Sequence, residues 1–367
     1  MYHPWKTSRT GDHATLTITV TIPKGWKPPY GVESYCSDRE DTAIMDSTIV
    51  PSHGANGYRW TEISPAAPFA PRDGAGAVVF GGKMWLLGGW NPTDKEHFPQ
   101  ACNSEVWSSK NGIDWHLENP RAPWEPRHTA GYAVHKGRMW IVGGDPLQGH
   151  YQNDVWSSGD GIHWGLVCDK VPWAERVLHY TLVHDGKIWV MGGQTLPQFA
   201  PATEVFYNDV WSSSDGVEWT RVTARAPWRP RGMIGSCAVL KGRMWILGGG
   251  TYETPATPTR EFYNDVWSSA DGVNWQRHVE HAPWDPRQYH EVAAFDDRLW
   301  VLEGMHGGRN RNDVWYSSDG VNWHELPNTP WEPRHAASVC VHDDGLWVIA
   351  GNNMFSDVWK LTRVGTR

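Results

Sequence analysis

Six arginines recur at intervals of about 50 residues, and their side chains are the first candidates for chemistry in this sequence. A guanidinium group binds carboxylates and phosphates through two parallel hydrogen bonds, so a subset of the six could clamp an anionic ligand. The alternative role is structural: each arginine stacks on a nearby tryptophan or bonds a loop carbonyl or a carboxylate, such as that of Glu125, Asp285 or Glu332. One site rarely needs six equivalent donors, which favours the structural role for most of them. The six are Arg72, Arg127, Arg176, Arg231, Arg287 and Arg334.

The residue after each arginine changes from copy to copy, and three of these residues have side chains that bind metals. Asp73, His128 and His335 supply one carboxylate and two imidazoles, the ligand set of an open site for a divalent transition metal. They come from the first, second and last copies, which are neighbours if the copies close into a ring. The alternative is channel-lining polarity without a metal. We favour it because a shift of one residue turns a strand side chain to the opposite face.

The element that positions these residues is a repeat whose most regular stretch contains Asn-Asp-Val-Trp, then Asp-Gly, then a second tryptophan. The Asp-Gly pair is a strong hairpin signal, because a tight turn needs residues that tolerate positive φ. Each copy is therefore predicted to be two antiparallel strands joined by a turn. Close copies occupy residues 153–164, 208–219, 264–275 and 312–323, and weaker ones occupy 103–115 and 356–359.

The whole repeat unit holds four strands. A Pro-Arg pair opens the innermost strand, with Glu-Arg in the third copy, and an apolar second strand ends in a Gly-Gly pair, as in residues 137–144. The Asp-Val-Trp segment forms the third strand and the late tryptophan lies on the fourth. Four antiparallel strands at this period indicate a propeller blade, so the prediction is an all-β, six-bladed propeller of four-stranded antiparallel blades over residues 57–367.

The sixth unit lacks its own outer hairpin, which makes a second prediction about the fold. After residues 357–361 there is no Asp-Gly pair and no fourth-strand tryptophan. Residues 58–63 resemble a fourth strand without a preceding third strand, so we predict that this N-terminal segment closes the last blade and leaves no open sheet edge. Residues 1–56 lie outside the repeat and form an appendage, in which alternating threonine and aliphatic residues predict one strand at 14–22.

Twenty-three of the 26 tryptophans occupy repeat positions, where large rings fill the wedge between radially splayed sheets. Trp90 is an exception and stands in a long loop. The loops between the second and third strands are long in units one, three and four, at residues 90–101, 194–206 and 250–262. Because binding residues often lie on loops over a rigid scaffold, we predict a site on this face, with Trp90 among the ligand-binding residues.

The order Pro-Arg, Gly-Gly, Asn-Asp-Val-Trp and late tryptophan resembles the Kelch repeat over about residues 57–361. The resemblance implies a propeller but no single activity, since the family includes protein-interaction scaffolds and sugar-acid mutarotases. His179 and His290 stand where Kelch repeats often have histidine, which implies a structural role, although both stay among the catalytic candidates. Glu291 and Glu303, the latter in place of a family glycine, are the spare acid or base candidates of unit five.

The charge of the chain excludes some partners. With 33 basic and 41 acidic residues the net charge is −8, which argues against binding to nucleic acid or to an anionic membrane surface. No run of 18 apolar residues occurs, and residues 1–20 lack the apolar core of a signal peptide. A cytoplasmic location is expected unless a leader was removed.

The function expected from these observations is binding of a small anionic molecule, such as a sugar acid, on the loop-rich face. A subset of the arginines would hold the anion, and His128, His335, Asp73 or Glu303 would lie near the chemistry. An enzyme of the lyase or isomerase type, assisted by a divalent transition metal, fits this arrangement. The alternative is a non-catalytic propeller that uses the same face to bind another protein.

Overall fold

The computed structural model describes residues 57–146, 150–196, 205–232, 237–255 and 258–364, and the backbone of two short strands near the N-terminus. The chain divides into two compact units, Met1–His53 and Gly54–Arg367. The boundary predicted from the sequence lies three residues later, after residue 56. In the first unit the strands Ser8–Thr10 and His13–Thr15 pair antiparallel. The predicted strand at 14–22 lies outside the described residues except for 14 and 15.

The second unit is a six-bladed propeller of four-stranded antiparallel sheets, as predicted. The first strands of neighbouring blades contact one another around the ring, including blade six with blade one. Blade one consists of Gly76–Phe80, Lys83–Leu87, Val106–Ser109 and Trp115–Asn119. Blade two consists of Gly131–His135, Arg138–Gly144, Gln152–Ser158 and Trp164–Cys168. Blade three consists of Tyr180–His184, Lys187–Met191, Val210–Ser213 and Thr220–Thr223.

Blades four to six follow the same order from the innermost strand outward, with no helix among the described residues. Blade four consists of Cys237–Leu240, Arg243–Gly250, Phe262–Ser269 and Trp275–Val279. Blade five consists of Glu291–Phe295, Arg298–Leu302, Val314–Ser317 and His324–Leu326, with an additional hairpin of Met305–His306 and Arg309–Asn310. Blade six consists of Ser338–His342, Gly345–Ile349, Val358–Arg363 and Tyr58–Ser64.

Closure of the sixth blade by the N-terminal strand is confirmed. Tyr58–Ser64 pairs antiparallel with Val358–Arg363, so the outer edge of the third strand is covered. The ring of Tyr58 lies edge-on against Trp300 of blade five, with 4.8 Å between ring centroids. In the other blades a turn glycine packs against the corresponding tryptophan of the preceding blade. The N-terminal strand therefore replaces both the backbone partner and the packing of the missing hairpin.

The Asp-Gly turns show why the repeat keeps its residue types. In blade two the N–H of Gly161 donates to Ser158 Oγ at 2.8 Å, and the Asp160 carboxylate accepts the N–H groups of Ile162 and His163 at 2.8 Å. Gly161 has φ 79°, and a Cβ there would lie 2.0 Å from the ring of Trp85. Only glycine satisfies both the backbone conformation and the contact between blades.

Candidate functional site

The six arginines are buried inside the blades, as Arg231 shows. Its Nη1 and Nη2 atoms donate to the two carboxylate oxygens of Asp265 at 2.6 and 2.9 Å, and Nη1 also donates to the carbonyl of Gly248 at 2.8 Å. Trp267 Nε1 donates to the same carboxylate at 2.8 Å. Each arginine thus ties the first, second and third strands of its blade together. The other pairs are Arg72 with Glu105, Arg127 with Asp154, Arg176 with Asp209, Arg287 with Asp313 and Arg334 with Asp357.

These bonds fit the structural role that the sequence favours for most of the six arginines, and an anion clamp formed by a subset of them stays a prediction. All six side chains are 0–1% exposed. Their donors are directed at carbonyl and carboxylate groups of the same blade, so we assign them the structural role. The predicted partners Glu125, Asp285 and Glu332 take part through their backbone carbonyls, which accept the Nε–H group of the arginine two residues later.

A cavity of about 350 Å³ opens where the inner strands begin, on the face that carries the long loops. Trp90, Leu196 and Tyr252 come from the three long loops that the sequence indicated. Residues from all six blades contribute to its wall. The lining residues are Asp73, Trp90, His128, Thr129, Asp145, Tyr151, Val177, Leu178, Gln194, Leu196, Tyr252, Tyr289, His335, Ala336 and Asn352.

Two positions in each repeat supply much of this lining. The residue after the arginine pairs with the residue after the glycine pair, as in the bridges Asp73–Trp90 and His128–Asp145. The candidates named from the sequence include the first position but, at the second, only Trp90; the second position also provides Asp145, Gln194 and, after Ala-Gly, Asn352. The signal was present, because the residue after each glycine pair varies as much as the residue after each arginine.

A belt of hydrogen bonds between blades fixes this lining. In the five blades where the structure describes it, the residue two positions after the arginine has positive φ, for example 57° at Gly74 and 51° at Ala336. Their backbone groups point around the ring: Gly74 N–H donates to the Ala336 carbonyl at 2.9 Å, and Thr129 N–H donates to the Gly74 carbonyl at 3.0 Å. The belt holds neighbouring blades at a fixed distance, so the cavity wall is positioned before any ligand binds.

Asp73 is the most unusual charged group in the wall. Its side chain is almost fully buried at 6% exposure, and its Oδ2 atom accepts a hydrogen bond from Asn352 Nδ2 at 3.0 Å. Burial raises the pKa of Asp73 to about 7, and the bond from Asn352 opposes this only in part. At neutral pH the carboxyl group is therefore present in both protonation states.

The two cavity histidines are neutral and share one tautomer. Nδ1 of His128 lies 3.0 Å from the backbone carbonyl of Asp145, and Nδ1 of His335 lies 2.6 Å from Asn310 Oδ1. Both partners are acceptors, so each Nδ1 carries the proton and each Nε2 is left as a base. Burial lowers the pKa of His128, and it lowers the pKa of His335 to about 4. Trp90 stacks on His128 with 6.1 Å between ring centroids.

The three predicted metal ligands, Asp73, His128 and His335, line the same cavity, as their common position in the repeat suggested. Their side chains are not arranged as a ligand set: within the described ranges no group of three histidine, cysteine, aspartate or glutamate residues could hold a metal ion. A divalent transition metal stays a prediction.

The four other catalytic candidates lie outside the cavity wall. His179 and His290 are at most 3% exposed, and burial lowers the pKa of both to about 3. His290 Nε2 lies 3.1 Å from the carbonyl of Leu247, which fits the structural role implied by the Kelch resemblance. Glu303 is fully buried, and burial raises its pKa to about 8. Burial and the nearby Glu303 carboxylate raise the pKa of Glu291.

Comparison with known proteins agrees with this architecture. The family described as the KLHDC2/KLHL20/DRC7 Kelch-repeats domain matches residues 178–364, about half of the chain. The chain therefore belongs to the Kelch-repeat family. Among solved structures, the structure of YjhT is similar with a TM-score of 0.61 and 16% sequence identity, over 81% of this chain and 95% of that one. That likeness concerns the fold alone.

The search of curated proteins found no match to this chain. The part of the chain that the structure describes contains no helix with the length and hydropathy needed to cross a membrane.

Proposed function

We propose that this propeller binds a small polar molecule in the channel-mouth cavity and that this molecule is not an anion. The observation that carries the proposal is the composition of the wall, where the charged residues are Asp73 and Asp145, and no lysine or arginine is among the described lining residues. The volume of about 350 Å³ lies within the usual range for small-molecule sites, roughly 300 to 1,000 Å³. The anionic ligand expected from the sequence loses its support, because the arginines that suggested it are buried in ion pairs.

The wall combines aromatic and hydrogen-bonding groups. Trp90, Tyr252 and Tyr289 provide aromatic surface, and Gln194 and Asn352 provide amide groups that both donate and accept hydrogen bonds. Small-molecule sites typically have this mixture, in which apolar rings give contact area and a few polar groups fix orientation. A ligand with a ring or short chain and several polar substituents would match it.

The same wall supports proton transfer on a bound ligand. Asp73, with its pKa near 7, can act as an acid or a base at neutral pH, and the free Nε2 atoms of His128 and His335 are bases. We infer that any reaction here is of the isomerase or lyase type, since both need an acid and a base positioned around one small molecule. A protein partner docked on the loop-rich face is the alternative that Kelch-family membership leaves open.

The test is a thermal-shift screen of neutral polyols, small ammonium compounds and carboxylates with the purified protein. We expect at least one neutral or cationic compound to raise the melting temperature. We also expect Gln194→Leu to weaken the binding of that compound at least tenfold. Gln276→Leu, the same substitution at an exposed site on the outer strand of blade four, should leave binding unchanged. Preferential stabilisation by carboxylates, or equal effects of the two substitutions, would contradict the proposal.

A further inference from the structure

The buried carboxyl group of Asp73 lies in the cavity wall without a paired cation, in contrast to the carboxylates that pair with the six arginines. One residue earlier, Arg72 donates to Glu105 at 2.7 Å, and the equivalent arginine of every other blade is paired with an aspartate. Among the residues that the structure describes, Asn352 is the one polar partner that contributes to the ionisation of Asp73. Burial of an ionised carboxylate is costly unless a positive charge or a proton compensates it.

We propose that the ligand of this cavity is an organic ammonium ion whose charged nitrogen is bound by Asp73. The proposal rests on the proposed function, since it names the chemical class of the molecule that enters the same cavity. The ammonium group would take the place of the missing counter-ion, and its N–H or N–CH₃ groups would contact the carboxylate of Asp73 in the cavity wall.

The aromatic part of the wall suits a cation as well. Tyr252 and Tyr289 meet edge to face with 6.0 Å between ring centroids, and Trp90 lines the same cavity. The faces of tyrosine and tryptophan rings attract cations. Tyr252 already receives a guanidinium in this way, because Arg260 lies 4.4 Å from its ring centroid. Arg260 is itself bonded to Glu253 at 3.0 Å, so its charge does not oppose a ligand cation strongly.

The other groups around Asp73 are compatible with a bound cation. His128 and His335 have pKa values lowered by burial, so they are neutral and do not repel it. Asp145 adds a second acidic residue to the wall. Glu303 is near enough that the charge of Asp73 contributes to its raised pKa, and because it is mostly protonated at neutral pH it does not compete with Asp73 for the cation.

The experiment compares choline with its neutral isostere 3,3-dimethylbutan-1-ol, and glucosamine and ethanolamine with glucose and ethylene glycol, by calorimetric titration of the full chain. At least one ammonium compound should bind ten times or more tightly than its neutral partner. Choline keeps its charge at every pH, so its affinity should rise as pH increases from 5 to 7, by up to tenfold per pH unit, and level off above 7 as Asp73 becomes fully ionised.

Asp73→Asn should lower the affinity for the ammonium compound at least tenfold and abolish its pH dependence. Asp169→Asn, at an exposed position directly after the outer strand of blade two, is the matched control and should change neither. An unchanged melting temperature would show that Asp73→Asn still folds. If neutral isosteres bind as tightly as the ammonium compounds, or if affinity falls as pH rises, the cation assignment is wrong while the small-molecule site stands. If no compound binds, both proposals fail.

Discussion

Replacing Glu303 by glutamine should stabilise this protein, and the gain should depend on pH in a defined way. The side chain is fully buried at the end of the second strand of blade five, and its Oε1 atom accepts the Ala337 N–H at 2.8 Å. Its Oε2 atom has no hydrogen-bond partner among the described residues. Burial raises the pKa of Glu303 to about 8 from the ordinary 4.5, although the Ala337 N–H and the Arg334 charge oppose the shift.

The sign of the effect follows from the raised pKa. Below pH 4.5 the carboxyl group is protonated in both the folded and the unfolded protein, so Glu303 has no pH-linked cost. Between 4.5 and about 8 only the unfolded protein loses the proton, and the free energy of unfolding falls as pH rises. At about 1.36 kcal/mol per pH unit, the loss reaches about 3 kcal/mol at pH 7 and about 5 kcal/mol above pH 8. Glutamine keeps the shape and the acceptor but cannot ionise.

The assay is urea unfolding of the wild type and Glu303→Gln at pH 5, 7 and 9, followed by tryptophan fluorescence. The variant should be close to wild type at pH 5 and more stable by about 3 kcal/mol at pH 7 and about 5 kcal/mol at pH 9. Glu291 is present in both proteins, so most of its own pH dependence cancels in the difference. Glu62→Gln, on the exposed side of the closing strand, should shift stability by less than about 0.5 kcal/mol at every pH. Parallel curves for wild type and Glu303→Gln would refute the reasoning.

One deletion and two substitutions test the fold. Deletion of residues 1–63 should prevent cooperative thermal unfolding, because the strand Val358–Arg363 would become an unpaired edge; a soluble, cooperatively melting product would contradict this. Arg231→Met should cost about 3 kcal/mol or more in urea unfolding, because it leaves the partner carboxylate without its cation; a loss below 1 kcal/mol would count against a structural role. Gly161→Ala should cost about 2 kcal/mol or more, because φ is 79° and the new methyl group would overlap a tryptophan, whereas Gly165→Ala has open space and should cost less than 1 kcal/mol.

The architecture could be predicted from the sequence because its signals are local and repeated. The Asp-Gly turn is defined by a few adjacent residues, and Gly161 illustrates that both the turn and the packing require the same residue type. Closure by the N-terminal strand was predictable for a different reason: the sixth unit lacks one strand, and Tyr58–Ser64 is the segment of that type without a partner of its own. In both cases the sequence alone is sufficient for the prediction.

The carboxylate partners of the arginines and the extent of the cavity could not be predicted, because both depend on the direction of side chains across a sheet. The partner of Arg231 is 34 residues away on the third strand, and a change of one residue in strand register would direct the guanidinium into the channel instead. The same limit hid Asp145 and Asn352, which reach the cavity only because the residue after each Gly-Gly or Ala-Gly pair lies beside the residue after an arginine.

The internal repeat separates the residues that fold this protein from those available for binding. Positions that keep one residue type in nearly every blade, the arginine, its carboxylate partner and the turn glycine, all lie in contacts within or between blades. The position after the arginine lies at the cavity in several blades and has diverged among the copies to aspartate, histidine, valine, glycine and glutamine. Six copies of one unit under the same packing constraints would keep similar residues there unless something else acted on them. We therefore expect substitutions at this position to alter ligand binding far more than stability, and substitutions at the constant positions to do the reverse.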